Sequence, residues 1–268
     1  MAIAAPARAR VPRLVLAAAV CAALCGCASP TSREAESHLD ESVRLLRANK
    51  TESAMAKIAE ATKVDPTRRQ TYLRAIRLLI AYKRFKKAGE VGETMIRRAE
   101  SGELDRMLSR DEMAGLHLLV GQAHQEAGDN GLAESRYKRA LELAPDSALA
   151  LNALGWLYAD NGIELEKALK LTRRAVELAP GEAAIVDSLG WTLYKLGRSE
   201  EAIRTLKRAV ELDPNHPELR YHLGAAYAKA GLKTEAVIEL NKALLLDSDL
   251  TDAYTLLNKI RAATPDKH

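Results

Sequence analysis

Few residues of this chain combine the types and the spacing that catalysis or metal binding requires. The six histidines show no metal-ligand spacing with carboxylates or thiols. His117 and His124 are seven residues apart and would share a helical face, but a third ligand is not evident. Asp187, Ser188 and His222 are expected on adjacent helices, yet no nucleophile elbow or oxyanion loop surrounds Ser188. The sequence therefore predicts no catalytic site, no metal, no cofactor and no enzymatic activity.

Two tryptophans are the most specific signal for recognition. Trp156 and Trp191 each follow a glycine directly and are 35 residues apart, so they are expected to project side by side from consecutive structural units. Large aromatic side chains beside a few polar groups are typical of interface hot spots. The alternative is that both rings pack in the core, as aromatic residues at helical spacing usually do. We expect exposure, because leucines already supply the packing positions: Leu154, Leu189 and Leu223.

An internal repeat must position these residues. Four glycines are spaced 34, 35 and 34 residues apart, and four alanines 35, 34 and 34: Gly121, Gly155, Gly190 and Gly224, then Ala140, Ala175, Ala209 and Ala243. Small residues at these positions allow two amphipathic helices of each unit to approach closely. A second glycine closes the turn between them, and a proline ends the second helix. One hairpin cannot bury its apolar face alone, so the hairpins must stack.

The order Gly, Gly, Ala, Ala, Pro within each unit resembles the tetratricopeptide repeat, which implies an all-α solenoid of helical hairpins. Full repeats are assigned to 114–147, 148–182, 183–216 and 217–250. Ala54, Ala61 and Pro66 keep the same internal spacing, which adds a repeat at 35–68. A degenerate repeat occupies 69–102, with Ile76 and Lys83 in place of both glycines, and 103–113 is an insertion that ends in a capping box. Residues 251–268 are a capping helix and tail.

The resemblance also implies a peptide-binding groove lined by the first helix of each repeat. The groove residues carried over to this chain are Asn152, Trp156, Asp160, Asp187, Trp191, Tyr194, Lys195, Tyr221 and Lys229. The Lys and Asn pattern with which some of these repeats clamp a C-terminal carboxylate is absent. A receptor for chaperone tails is therefore disfavoured.

The N-terminus resembles an export signal of the bacterial lipoprotein type. Three arginines precede an apolar run at 14–24 that is too short to span a bilayer. The following Leu24-Cys25-Gly26-Cys27 resembles a lipobox, which implies a signal peptide at 1–26, lipidation of Cys27 and a lipid-anchored linker at 27–34. Ala28 after the cysteine resembles the class directed to the outer membrane. The alternative is an ordinary cleaved signal with a chance cysteine.

Charge is uneven along the chain. Loss of the three signal arginines would leave 37 basic against 36 acidic residues, yet residues 63–98 hold eleven Lys or Arg against three carboxylates. This basic segment is either a solvated face of the solenoid or a contact for anionic lipid head groups or an acidic partner. Export disfavours nucleic acid as a partner.

These features together predict a lipoprotein scaffold on the periplasmic side of the outer membrane that binds protein or peptide partners. By resemblance to lipoproteins of this build, it would assist a pilus and secretin machine or one for cell-wall or polysaccharide export. The alternative is a periplasmic carbohydrate-binding or enzymatic protein that uses the aromatic pair as a sugar platform. Open rings beside charged groups would favour a peptide, and flat rings flanked by carboxamides and carboxylates would favour a sugar.

Overall fold

The computed structural model describes residues 29–262, and all regular secondary structure in that range is α-helical, which confirms the predicted all-α fold. The expected signal peptide, Cys27 and the last six residues of the tail lie outside the described range. The chain divides into two compact units at Pro145 and Asp146, close to the predicted boundary between the repeats 114–147 and 148–182.

The first unit contains three helical hairpins. Its helices are α1 (Pro30–Arg47), α2 (Thr51–Val64), α3 (Arg69–Ala81), α4 (Phe85–Glu100), α5 (Arg110–Ala127) and α6 (Asn130–Leu143). The second unit contains three more hairpins and a final helix. Its helices are α7 (Ala148–Asn161), α8 (Leu165–Leu178), α9 (Ala183–Lys195), α10 (Ser199–Leu212), α11 (Pro217–Lys229), α12 (Lys233–Leu246) and α13 (Thr251–Ala262). Helix α13 packs against α11 and α12, as expected of a capping helix.

Prolines and glycines in the local sequence determine where the repeat helices end and turn. Helices α6, α8 and α10 each end two residues before a proline, at Pro145, Pro180 and Pro214. The glycines that close the hairpin turns have left-handed backbone angles, for example φ +78° at Gly197. In the degenerate repeat, Lys83 takes the same left-handed conformation, with φ +57°. Helices α3 and α4 therefore form a hairpin without the turn glycine.

Two predicted boundaries in the first unit are wrong. Residues 30–34, expected in a linker, begin α1, because the Ser29 side chain accepts a hydrogen bond from the Ser32 amide and Pro30 fits the first helical turn. Residues 110–113, expected in the insertion, begin α5. The predicted capping box of Ser109 and Glu112 is confirmed, and it starts the helix at that point.

Candidate partner-binding face

The predicted groove residues come together on three neighbouring helices of the second unit, α7, α9 and α11, which contact one another in succession. We call this set the aromatic face. It comprises Asn152, Trp156 and Asp160 on α7, Asp187, Trp191, Tyr194 and Lys195 on α9, and Tyr221 and Lys229 on α11.

The centre of the aromatic face is a stack of rings. The Trp156 and Trp191 ring centroids are 6.3 Å apart with an angle of 24° between planes, so the predicted adjacency is confirmed. Tyr194 stacks on Trp191 at 4.6 Å, and His222 stacks on Trp191 at 4.4 Å. Tyr221 lies 6.4 Å from Trp191 at a tilted angle. Such geometries are the favourable ones for aromatic pairs.

The predicted exposure of the two tryptophans is wrong. Trp156 is 1% exposed and Trp191 is 5% exposed. The reason is that rings on neighbouring first helices cover each other, and His222 covers both from α11, at 5.6 Å from Trp156. No third indole continues the series, because Ala225 stands at the corresponding position of the next repeat. The tryptophans form the floor of the aromatic face.

A buried Asp187 and His222 pair lies beside this floor. The His222 Nδ1 atom is 2.8 and 2.9 Å from the two carboxylate oxygens of Asp187, and both side chains are almost wholly buried. A buried carboxylate needs such a partner. The sequence predicted Asp187 as a groove residue and placed His222 beside it only as part of a rejected catalytic triad. Their separation of one repeat on first helices was the signal that they would pair structurally.

The triad itself is not assembled. The Ser188 hydroxyl donates a hydrogen bond to the Ala184 carbonyl at 2.9 Å, within its own helix. Among residues 29–262, no group of three His, Cys, Asp or Glu side chains could hold a metal ion. None of the helices in that range has the length and apolar character needed to cross a bilayer.

Two buried polar atoms of the aromatic face have no hydrogen-bond partner within the described chain. They are Trp156 Nε1 and Asn152 Oδ1. Unpaired buried polar groups cost free energy, so they are rare in native cores and indicate a site where packing or function overrides that cost.

Lysines join successive repeats across the aromatic face. Lys195 Nζ donates to the Asp160 carbonyl at 3.1 Å, and Lys229 Nζ donates to the Tyr194 carbonyl at 2.6 Å. In each pair, the lysine satisfies a carbonyl in the last turn of the preceding first helix. The same ammonium groups lie over aromatic rings, 5.2 Å from Trp191 for Lys195 and 4.3 Å from Tyr194 for Lys229.

The rim of the aromatic face remains partly accessible. Asp160, Tyr194, Lys195 and Tyr221 are half-buried, and Lys229 is exposed. Burial raises the pKa of the Asp160 carboxyl, and Lys195 opposes that shift. Burial also raises the pKa of the Tyr194 and Tyr221 phenols, which therefore stay protonated and able to donate hydrogen bonds. The rim offers phenol, ammonium and carboxyl groups over a rigid floor.

Family models of tetratricopeptide repeats match most of the chain. One, described as tetratricopeptide repeat, matches residues 28–171. A second, described as TPR repeat, matches residues 190–231, and a third, described as tetratricopeptide repeat, matches residues 217–250. No curated protein matches the chain.

Solved structures of repeat proteins are similar to this chain in fold. TTC0263, a thermophilic TPR protein of Thermus thermophilus, has a TM-score of 0.60 and 21% identity, over 72% of this chain and 98% of its own. The APC/C hetero-tetramer Cut9–Hcn1 has a TM-score of 0.63 and 20% identity, over 85% of this chain and 42% of the matched chain. YrrB, a TPR protein with an unusual peptide-binding site, has a TM-score of 0.50 and 19% identity, over 75% of this chain and 97% of its own.

At these identities the solved structures support the fold alone. The family model over 28–171 covers more than half of the 268 residues, and the hairpins described above carry the corresponding turns and close helix contacts. The chain therefore belongs to the tetratricopeptide repeat family.

Proposed function

We propose that this chain is an exported lipoprotein scaffold that binds protein or peptide partners through the aromatic face. Anchored at Cys27 on the periplasmic side of the outer membrane, it would assist assembly of an envelope machine, of the pilus and secretin type or of the cell-wall or polysaccharide export type. Tetratricopeptide repeat proteins act generally as scaffolds that bind other proteins. The observation that carries the proposal is the accessible rim of tyrosines and lysines over a buried aromatic floor.

The rim suits recognition because its groups are already ordered. Tyr194 is held by stacking on Trp191, and Lys195 and Lys229 are held by backbone carbonyls and rings. Side chains that are ordered before binding lose less conformational entropy when a partner arrives. Tyrosine contributes contact area with few rotatable bonds, and lysine contributes charge that steers encounter.

The burial of the indoles favours a peptide over a sugar. A sugar platform needs an open ring face, and neither Trp156 nor Trp191 offers one at 1% and 5% exposure. The exposed part of the face instead holds Lys229 with half-buried tyrosines. Catalysis is disfavoured in the proposal, because tetratricopeptide repeats are typically non-catalytic scaffolds and Ser188 is bonded within its helix.

Binding is tested with two matched charge reversals in the second unit. Lys229→Glu changes the rim, and Arg204→Glu changes an exposed residue on the second helix α10. Each protein is used to capture partners from membrane extracts. A captured partner is then purified and titrated against the unaltered chain and both variants. We expect Lys229→Glu to lower the affinity for the partner by about tenfold and Arg204→Glu to lower it by less than about twofold. Equal affinity for both variants would rule out the rim as the binding surface.

The anchor is tested separately by metabolic labelling with a fatty-acid analogue. The unaltered chain should incorporate the label, and Cys27→Ser should not, because the acylated thiol is removed. The variant should also be released from the membrane or accumulate as a precursor. Label on the Cys27→Ser protein would contradict the proposed lipidation without bearing on the aromatic face.

A further inference from the structure

Basic residues surround two adjacent hairpin turns of the first unit. Residues 44–52 and 77–90 together hold eight Lys or Arg and two carboxylates. Arg47 Nε donates to the Tyr82 hydroxyl at 3.3 Å, and an Arg84 nitrogen donates to Asn49 Oδ1 at 2.7 Å, so the turn after α1 lies beside the turn after α3. We call the residues at these turns the basic turn cluster: Arg47, Lys50, Lys83, Arg84 and Lys86.

The charges of this cluster are not neutralised by the surrounding protein. Four other basic residues of the segment 63–98 form ion pairs, among them Arg69 with Glu112 at 2.9 Å and Arg98 with Glu103 at 2.8 Å. The remaining four, Lys63, Arg68, Arg77 and Arg97, form none in the described part of the chain, so the cluster is distinguished by its close spacing and not by the lack of ion pairs alone. Within residues 29–262, none of the five cluster residues forms an ion pair with a carboxylate. Of the two acids in these segments, Glu90 pairs with Lys87 at 2.9 Å, and Glu52 is exposed without an ion pair.

Backbone strain at Lys83 is a second, independent observation. Lys83 has φ +57° at a position that glycine occupies in the later repeats, and Asn49 has φ +55° at the equivalent turn. Asparagine tolerates the left-handed region, but lysine gains nothing from it and glycine would cost less. Glycine at this position would relieve the strained backbone and remove the exposed Lys83 charge, so one substitution separates an effect of charge on binding from an effect on stability.

We propose that the basic turn cluster binds an acidic segment of a protein partner, at a site separate from the aromatic face. The Arg84 and Arg47 guanidinium groups are oriented by Asn49 and Tyr82, so they are ready to donate charge-assisted hydrogen bonds to carboxylates. The exposed ammonium groups of Lys50, Lys83 and Lys86 add attraction at longer range.

A protein segment fits this site better than the membrane surface does, an argument that rests on the proposed lipidation. Only two residues separate Cys27 from Pro30, whereas the cluster lies at the other end of α1, which has 18 residues. A helix of that length extends about 27 Å. This distance exceeds the screening length of about 8 Å at physiological salt, so anchoring at Cys27 does not by itself bring the cluster within reach of the lipid head groups.

The test uses the full chain carrying Cys27→Ser and a fluorescent polyglutamate peptide as the probe. The cluster variant combines Lys50→Gln, Lys83→Gly and Lys86→Gln. The matched control, Lys63→Gln, Arg68→Gln and Arg97→Gln, removes the same charge from other parts of the basic segment. Affinity is measured by anisotropy at two salt concentrations. We expect the cluster variant to bind about fivefold more weakly with a shallower salt dependence, and the control to lose less than about twofold.

Two further measurements separate the explanations. Lys83→Gly alone should lower the affinity for the probe. The melting temperature of this variant should stay equal to that of the unaltered chain or rise, because glycine relieves the strained turn. Lys229→Glu should bind the probe normally, which distinguishes this site from the aromatic face. Equal losses of probe affinity in both triple variants would show that binding depends only on net charge. If the cluster variant lost binding only to phosphatidylglycerol vesicles, the partner would be a membrane. Either result overturns the proposal.

Discussion

Gly190 on α9 lies directly against Leu206 on α10, so closely that a Cβ atom at Gly190 would come within 2.6 Å of Leu206 Cγ and Cδ2. The same relationship recurs one repeat earlier and one later. A Cβ at Gly155 would be 2.7 Å from Thr172, and one at Gly224 would be 2.9 Å from Leu240. The first-helix glycine therefore sets the distance between the two helices of a hairpin, as the repeat spacing predicts.

Gly190→Leu should lower the free energy of unfolding by about 1–3 kcal/mol, because the added side chain has no space beside Leu206. The loss should appear in urea denaturation. Hydrogen exchange should localise it to the repeats that flank α9 and α10, since repeat proteins couple mainly between nearest neighbours.

Gly115→Ala is the matched control. Gly115 lies inside α5, and no atom stands within 4 Å of the position that its Cβ would take. Alanine there should raise stability by about 0.5–1 kcal/mol through helix propensity alone. Loss of exchange protection spread evenly over the whole chain for Gly190→Leu would argue against repeat-wise packing.

Truncation of Trp156 to alanine should destabilise the second unit by about 3–5 kcal/mol, because the ring is buried in a stack with Trp191 and His222. The sequence alone favoured a different result, lost partner binding with intact folding. Thermal melting of Trp156→Ala and Trp156→Phe decides between them, and phenylalanine should recover part of the loss. Unchanged melting with lost binding would make the ring a direct contact.

The sequence predicted the repeat, its glycines and its prolines because these act through local backbone chemistry. Gly197 can be assigned to a left-handed turn and Pro214 to a helix end without knowledge of any partner. The start of α1 at Pro30 was missed, although Ser29 followed by proline is a local signal for a helix start.

Exposure of the tryptophans could not be predicted in the same way. Position within a helix places Trp191 on the correct face, but its burial depends on Tyr194 and on His222 from the next repeat. Pairing between His222 and Asp187 is likewise a contact across repeats. Such contacts depend on the sizes of the residues around them, as with the small Ala225, and no single motif encodes them.

Ser109→Ala should lower the free energy of unfolding by about 1 kcal/mol, because the Ser109 hydroxyl accepts the Glu112 amide hydrogen bond at 3.2 Å and starts α5. The Glu112 carboxylate accepts from the Ser109 amide in return, and this bond, helped by Arg106, lowers the pKa of Glu112 to about 2. Urea denaturation measures the change. Ser101→Ala, at the exposed end of α4, is the control and should stay within about 0.5 kcal/mol.

His117 should make the first unit less stable as the pH falls from about 6.5 to about 4. The ring is 1% exposed, and neither nitrogen has a hydrogen-bond partner within the described chain. Burial, helped by the charges of Arg136 and Arg139, lowers the pKa of His117 to about 4. The unfolded chain takes up the proton near pH 6.5, before the folded chain does, so acid favours unfolding in that interval. The stability of the folded chain is therefore not reduced by His117 above pH 6.5, and the loss develops below that pH.

His117→Met removes this titration and keeps an apolar side chain of similar size in the core. The variant's free energy of unfolding relative to the unaltered chain should rise by about 2–3 kcal/mol between pH 7 and pH 4, as measured by urea denaturation across that range. His216 provides a contrast of opposite sign. Its contact with the Glu218 carboxylate, 3.0 Å from His216 Nδ1, raises the pKa of His216, so that contribution is present at low pH and is lost as the pH rises. A difference between His117→Met and the unaltered chain that stays constant with pH would show that His117 is not held neutral by burial.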